Sequence, residues 1–240
     1  MKRSDIRENI KTALAEDGVY RTDTFLDNAI DEGNGLVSVF SLCDERRSSI
    51  NVDGSRNFNP VPVSGEAYCF APLFVANANT GYRLSPVEPD QLELHTTDWE
   101  GKVGTDGGSM YYTYLNPYHS AQATLVCCPI QNIGRSQLTV IGAYIPADLT
   151  GDTDVPRFDE SFHDLLVLYG VFYSLVSEPG MGRRAAEVMG QFVSRLNEFT
   201  ATVRARFPSG RDFEPVPVEF TYENVTEQDR QSERSEGEGK

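Results

Sequence analysis

Apolar residues recur at helical spacing in the first forty positions of the chain. Residues from about Ser4 to Gly18 predict one helix, with Asp5 and Glu8 spaced as a capping box and Gly18 as its end. Its apolar stripe consists of Ile6, Ile10, Ala13 and Leu14. A second stripe, Phe25, Leu26, Ala29, Ile30, Gly33, Val37 and Phe40, predicts a second helix after Thr22. Gly33 and Gly35 each cost a helix about 1 kcal/mol relative to Ala, so we expect a break near Asn34.

The middle of the chain, about Ser48 to Pro146, has the pattern of strands and turns. Short clusters of Pro and Gly separate alternating or β-rich runs. The runs are Ala67–Phe70, Met110–Leu115, Ala123–Cys127 and Leu138–Ile145. Several strands without intervening helices predict an antiparallel sheet or a small sandwich.

Helical spacing returns after Pro156. A wide apolar face runs through Phe158, Phe162, Leu165, Leu166, Tyr169, Phe172, Tyr173 and Val176. Pro179 and Gly180 then break the chain. A second long helix, ending near Phe207, carries Ala185, Val188, Met189, Phe192, Val193, Leu196, Phe199 and Val203.

These patterns predict an α+β fold, in which helical hairpins from both ends of the chain pack as a bundle beside a central antiparallel β domain. The expected divisions are residues 1–47 for the N-terminal helices, 48–155 for the β-rich domain and 156–207 for the C-terminal hairpin. Residues 208–240 are expected to form an extended acidic arm.

The last predicted helix is locally basic, although the chain as a whole is acidic. Its arginines are Arg183, Arg184, Arg195, Arg204 and Arg206, against Glu187 and Glu198. Such a helix could contact DNA or an acidic partner, or it could present an ordinary solvated face. The residues alone leave both interpretations open.

The C-terminal arm combines an apolar segment with an acidic end. From Glu219 to Lys240 there are seven acidic residues against three basic ones, a composition that does not fold alone. The preceding stretch alternates apolar and polar positions, with candidate partner-binding residues Phe213, Val216, Val218, Phe220 and Tyr222. This pattern suits a strand added to a neighbouring chain, or an arm folded back on its own domain.

Composition and charge narrow the class of protein. The chain has 39% apolar and 24% charged residues, a net charge of −15 and a pI of about 4.6. The acidic excess argues against tight DNA binding, which needs a basic surface. We find no apolar run of about 18 residues and no secretory signal, so we expect synthesis in the cytoplasm and no membrane contact.

No constellation of catalytic or metal-binding residues stands out. His95, His119 and His163 are far apart, and Cys43, Cys69, Cys127 and Cys128 lack metal spacing, so we interpret the cysteines as reduced and structural. Asp148, Asp152 and Asp154 lack the Gly and terminal Glu of an EF-hand loop. We therefore predict no enzymatic activity, no catalytic or metal site and no cofactor.

The order of these segments resembles the head-to-tail adaptor (connector) family of tailed bacteriophages, including tail-tube adaptors. The resemblance covers roughly residues 1–207 and is strongest at the helix that starts with Phe158 and carries His163 before paired leucines. The other matching segments are Asp23 to Gly33, Tyr68 to Pro72, Gly81 to Leu94, Trp99 and the turn after it, Ala123 to Gln131, and Leu138 to Leu149. Cys128-Pro129-Ile130-Gln131 departs from the family by having one proline where two are common.

The resemblance implies a structural protein of the virion, at the junction of head and tail. Expected partners are the portal protein, neighbouring copies in a ring, commonly a dodecamer, and a tail nozzle or tail tube protein. Double-stranded DNA would pass through the channel during ejection without specific binding. Twelve copies of a chain with a net charge of −15 would carry about −180, which disfavours adhesion of DNA to the channel wall.

Two other functions remain open at this point. Another tail ring or nozzle protein would share the acidic charge and the strand content, although the helical pair from Phe158 to Phe207 favours the adaptor. A tail-associated hydrolase would need a nucleophile or an acid/base pair in a pocket. Because acidic residues are plentiful, the sequence does not exclude it.

Overall fold

The computed structural model describes residues 1–51, 57–58, 68–91, 111–115, 124–128, 137–206 and 215–219. Contacts divide the chain into two compact units. A helical unit contains residues 1–41 and 148–206 together with the segment that starts at Pro215, and a β unit contains residues 42–147. The α+β class predicted from the sequence is confirmed.

The helical unit contains four α-helices in the described part of the chain. They are α1 (Arg3–Glu16), α2 (Asp23–Ser41), α3 (Asp164–Val176) and α4 (Gly182–Arg206). α1 packs against α2 and α3, and both α2 and α3 pack against α4. The predicted apolar stripes form the core, in which Ile6, Ile10, Leu26, Ile30 and Leu196 are fully buried.

Helix α2 runs through Gly33 and Asn34 without a break, so the expected break is wrong. Tertiary packing explains the difference. A Cβ on Gly33 would lie 2.8 Å from Cδ1 of Tyr169 on α3. The missing side chain lets an aromatic ring pack against the α2 backbone, and this burial outweighs the low helix propensity of glycine.

Two helix starts also differ from the sequence prediction. Asp5 lies at the third position of α1, where its carboxylate accepts a hydrogen bond from the Lys2 amide at 3.0 Å; the capping box therefore starts three residues earlier than predicted. Before α3, Asp159 caps a single 3-10 turn, Glu160–Phe162. The α-helix therefore begins at Asp164 and not near Phe158.

In the described part of the chain, the β unit contains two small sheets. In the first, β1 (Glu45–Asn51) and β3 (Tyr68–Asn77) flank β7 (Gln137–Ile145), and both pairings are antiparallel. In the second, the order is β2 (Asn57–Phe58), β6 (Thr124–Cys128), β5 (Tyr111–Leu115) and β4 (Ser85–Pro86), in which only the short β4–β5 pairing is parallel.

Residues of both sheets share one hydrophobic core, as in a small sandwich. The core consists of Val75, Leu84, Tyr112, Leu125, Cys127, Leu138 and Val140. The hydroxyl of Tyr114 on β5 also donates a hydrogen bond to the Cys69 carbonyl of β3 at 2.6 Å. None of the four cysteines forms a disulfide, and burial raises the pKa of the Cys69 thiol to about 12. The thiols therefore act as small apolar side chains.

Candidate partner-binding surface

Helix α4 carries five of the ten residues singled out as partner-binding candidates. One face packs into the unit through residues such as Val188, Phe192 and Phe199, which are buried. The opposite face is polar and includes Glu187, Gly190 and Ser194. All five candidate arginines lie on this helix, and one segment of the C-terminal arm lies against it.

The arginines are spread along and around α4. Arg183 and Arg184 lie in its first turn and Arg204 and Arg206 in its last, so at 1.5 Å per residue about 30 Å separates the two pairs. Arg195 lies between them. The five guanidinium groups therefore do not form one cationic patch.

Arg195 is the most firmly held of the five. Its Nε donates to Asp164 at 3.0 Å, and its other nitrogens donate to Glu198 and to the Ser161 carbonyl, each at 2.6 Å. The guanidinium also stacks over the Phe162 ring, 4.4 Å from the centroid. This side chain ties α4 to the start of α3.

Three other arginines have carboxylate neighbours in their own chain. Arg184 lies 3.4 Å from Asp17, Arg183 lies 3.4 Å from Glu187, and Arg206 lies 3.7 Å from Asp159. Arg183 and Arg206 are 86% and 68% exposed. Exposed ion pairs of this kind are weak and contribute little to stability.

The described part of the arm, residues 215–219, lies against α4. Pro215 is buried, Val218 is half-buried and Val216 is 71% exposed. Phe213, Phe220 and Tyr222 lie outside the described residues. Of the five predicted arm residues, the structure thus places Val216 and Val218.

Asn197 fixes this segment of the arm through its main chain. The side-chain Nδ2 donates to the Val218 carbonyl at 2.9 Å, and Oδ1 accepts from the Val218 amide at 2.8 Å. Together the two bonds reproduce the pairing that one residue of a neighbouring β-strand would supply. Sequence reasoning missed Asn197, because a single asparagine on the polar side of a helix carries no distinguishing pattern.

Two arginines of α1 form ion pairs with neighbouring parts of the helical unit. Arg3 pairs with Asp31 at 3.1 Å, and Arg7 pairs with Asp27 at 2.8 Å and with Asp152 at 2.6 Å. Burial raises the pKa of Asp31, although its carboxylate also accepts the Leu149 amide at 2.8 Å. The network joins α1, α2 and the segment before α3.

His163 lies buried at the end of the 3-10 turn before α3. Nε2 donates to the Phe158 carbonyl at 3.0 Å, which leaves Nδ1 to accept from the Met1 amino group at 2.7 Å. Burial lowers the pKa of the imidazole and favours its neutral form. Its contacts position the turn and give it no access to a reacting molecule.

Two of the three aspartates that superficially suggest a calcium loop, Asp152 and Asp154, have partners within the protein. Asp152 pairs with Arg7, and Asp154 accepts the Gly151 amide at 2.7 Å. Among the residues that the structure describes, no group of three His, Cys, Asp or Glu side chains could hold a metal ion. Nor does any described helix have the length and apolar character needed to cross a bilayer.

The chain is similar to one described protein family. A family model described as SU10 adaptor protein matches residues 1–213. The match covers all four described helices and all described strands, and it ends at residue 213, within the segment 208–240 that is expected to form the arm. No curated protein matches the sequence significantly.

Proposed function

The chain belongs to the SU10 adaptor protein family, a family of phage head-to-tail adaptors, and we propose that it forms a ring beneath the portal that joins head to tail. The observation that carries this proposal is the family match over residues 1–213. As a phage structural adaptor the protein is a component of the virion. Its place within the virion, at the head-tail junction, is part of the proposal.

A structural role without enzymatic activity agrees with the arrangement of the polar side chains. The buried ones mostly stabilise the chain itself, as Arg195 does between α3 and α4, Arg3 between α1 and α2, and His163 at the start of α3. Such contacts suit a subunit that must stay folded while mechanical force acts on it in the virion. We infer that the protein acts through the surfaces that it presents to other phage proteins.

The ring, the portal contact and the DNA channel are supported by charge and by the arm. The net charge of −15 per chain would give a ring an acidic channel, along which DNA slides without adhering. The arm supplies apolar side chains that its own unit does not bury, of which Val216 is an example. Burial of such exposed apolar side chains by a partner is favourable and stabilises the complex.

Native mass spectrometry of the protein alone and mixed with its portal tests this function. We expect free chains of low copy number and a defined multiple of the chain on the portal ring, dodecameric if the family pattern holds. A mixture in which the portal retains its own mass would contradict the proposal. A portal from an unrelated phage serves as the control for non-specific binding.

A double variant, Val216→Ser with Val218→Ser, tests the part of the arm within the same proposal. Both changes leave the chain full length and leave the main chain at both positions able to form hydrogen bonds. We expect weaker binding to the portal because two apolar side chains are lost from the contact. Unchanged binding would remove the arm from the proposed interface while leaving the ring intact.

A further inference from the structure

The arm has two different edges, because prolines interrupt one of them. In an extended chain, successive residues direct their N–H and C=O groups to opposite sides. Pro215 and Pro217 lie on one side and have no N–H to donate. Val216 and Val218 lie on the other side, and both have an N–H as well as a C=O group. Only this second edge, the complete edge, can pair fully with a β-strand.

Asn197 occupies the complete edge. Its amide takes both the N–H and the C=O of Val218, at 2.8 and 2.9 Å. An amide N–H has one proton to donate, so Val218 cannot pair with Asn197 and with a strand at the same time. Binding to Asn197 and pairing with a strand therefore exclude each other.

We propose that Asn197 is a latch, which holds the arm on α4 in the free chain, and that the released arm binds its partner as an added β-strand through the complete edge. The inference deepens the proposed function and rests on it for the identity of the partner, the portal. The partner must offer an unpaired strand edge of its own.

The side chains of the arm define the partner's edge further. Val216 and Val218 both point to the same face of the added strand, because they are two residues apart. Directly opposite residues share a face, so the partner's edge must present apolar side chains there. Glu214 and Glu219 flank this stretch, which favours basic residues beside it.

The edge of β1 in a second copy does not meet this requirement. The Asp44 carbonyl accepts a hydrogen bond from the Tyr144 amide of β7 at 2.9 Å. The N–H and C=O groups of the even-numbered residues of β1 therefore point to β7, and those of the odd-numbered residues point to the open edge. The outward residues include Arg47 and Ser49, whose side chains are exposed. Pairing there would place Val216 and Val218 on a polar, solvated face. The edge of β1 is therefore a poor acceptor for the arm.

Proline substitutions at positions of opposite parity test the added strand. Val216→Pro removes an N–H from the complete edge and leaves the Asn197–Val218 bonds in place; Glu219→Pro adds a proline on the edge that already has two. We expect Val216→Pro to weaken binding to the portal roughly tenfold, and Glu219→Pro to leave it within about twofold of wild type. Equal effects of the two variants would overturn strand addition.

Substitution of Asn197 tests the latch. In Asn197→Leu the Val218 amide should exchange its hydrogen about tenfold faster in the free protein, and the portal should bind roughly fivefold more tightly because the arm starts released. Asn197→Asp keeps the acceptor for the Val218 amide and loses the donor to its carbonyl, so it should give intermediate values. Unchanged exchange at Val218 in both variants would overturn the latch.

The outcomes separate this inference from the function on which it rests. If the wild-type chain does not bind the portal, the proposed function fails. If the wild type binds but the two proline variants agree, only strand addition fails. If Asn197→Leu assembles into oligomers without the portal, the acceptor is a second copy, and the assignment of the partner is overturned.

Discussion

The arginines of α1 and those of α4 are the same residue type in opposite surroundings. Arg3 and Arg7 are 10% and 12% exposed and lie among Asp27, Asp31 and Asp152. Arg206, at the end of α4, is 68% exposed and lies 3.7 Å from the carboxylate of Asp159. The α1 arginines therefore hold the helical unit together, whereas the ion pair of Arg206 adds little to its stability.

Replacing one arginine from each region should give the largest difference. Arg3→Ala leaves the half-buried Asp31 carboxylate without its cation, which should cost about 3 kcal/mol of unfolding free energy. Arg206→Ala removes an exposed pair and should change stability by no more than about 0.5 kcal/mol. Chemical denaturation measures both. Equal losses would contradict the division between the two regions.

Glycine substitutions compare a packed helix face with an exposed one. They should change the free energy of unfolding less than the arginine substitutions do. A Cβ on Gly33 meets the Tyr169 ring, so Gly33→Ala should destabilise the protein by about 1–2 kcal/mol despite the gain in helix propensity. A Cβ on Gly190, on the outer face of α4, meets nothing within 4 Å, and Gly190→Ala should stabilise by about 0.5–1 kcal/mol. Thermal and chemical unfolding of the pair should therefore shift in opposite directions. Destabilisation by Gly190→Ala would show that the outer face of α4 is packed.

Titration of His163 should make stability depend on pH. Of the three predicted effects on stability, this one should be the smallest. The unfolded imidazole titrates near 6.5, and burial lowers the pKa in the folded protein. Between these two pKa values the unfolded chain binds more protons, so stability present above about pH 6.5 is lost as the pH falls through the folded pKa. His163→Gln should remove this part of the slope in unfolding experiments at several pH values. An unchanged slope in the variant would assign it to another group.

The helices were predictable because their apolar stripes are long and regular. Most residues of the stripes from Ile6 to Leu14 and from Phe158 to Val176 are buried, although Val176 at the end of the second stripe is 62% exposed. The helix does not break near Asn34, contrary to the prediction, because glycine propensity describes only the local chain. Tyr169, which packs on Gly33, lies more than a hundred residues away in sequence. The order of the strands in the two sheets likewise depends on long-range pairing, such as that of β1 with β7.

The candidate surface was only partly predictable, for a similar reason. The sequence indicated that Val216 and Val218 belong to an arm, and that the last long helix is rich in arginine. It gave no sign that Asn197 would meet Val218, because that contact joins a helix and an extended segment twenty-one residues apart. Nor could it show that Arg195 bonds to α3 while Arg183 remains at the surface.

The position of the protein in the intact virion tests the central claim most directly. Cryo-electron microscopy of purified virions should show a ring of copies immediately beneath the portal, with the helical and β units recognisable in each subunit and extended density from the arm on portal subunits. Density for the chain at the far end of the tail, or at any site without contact to the portal, would contradict the assignment as the head-to-tail adaptor.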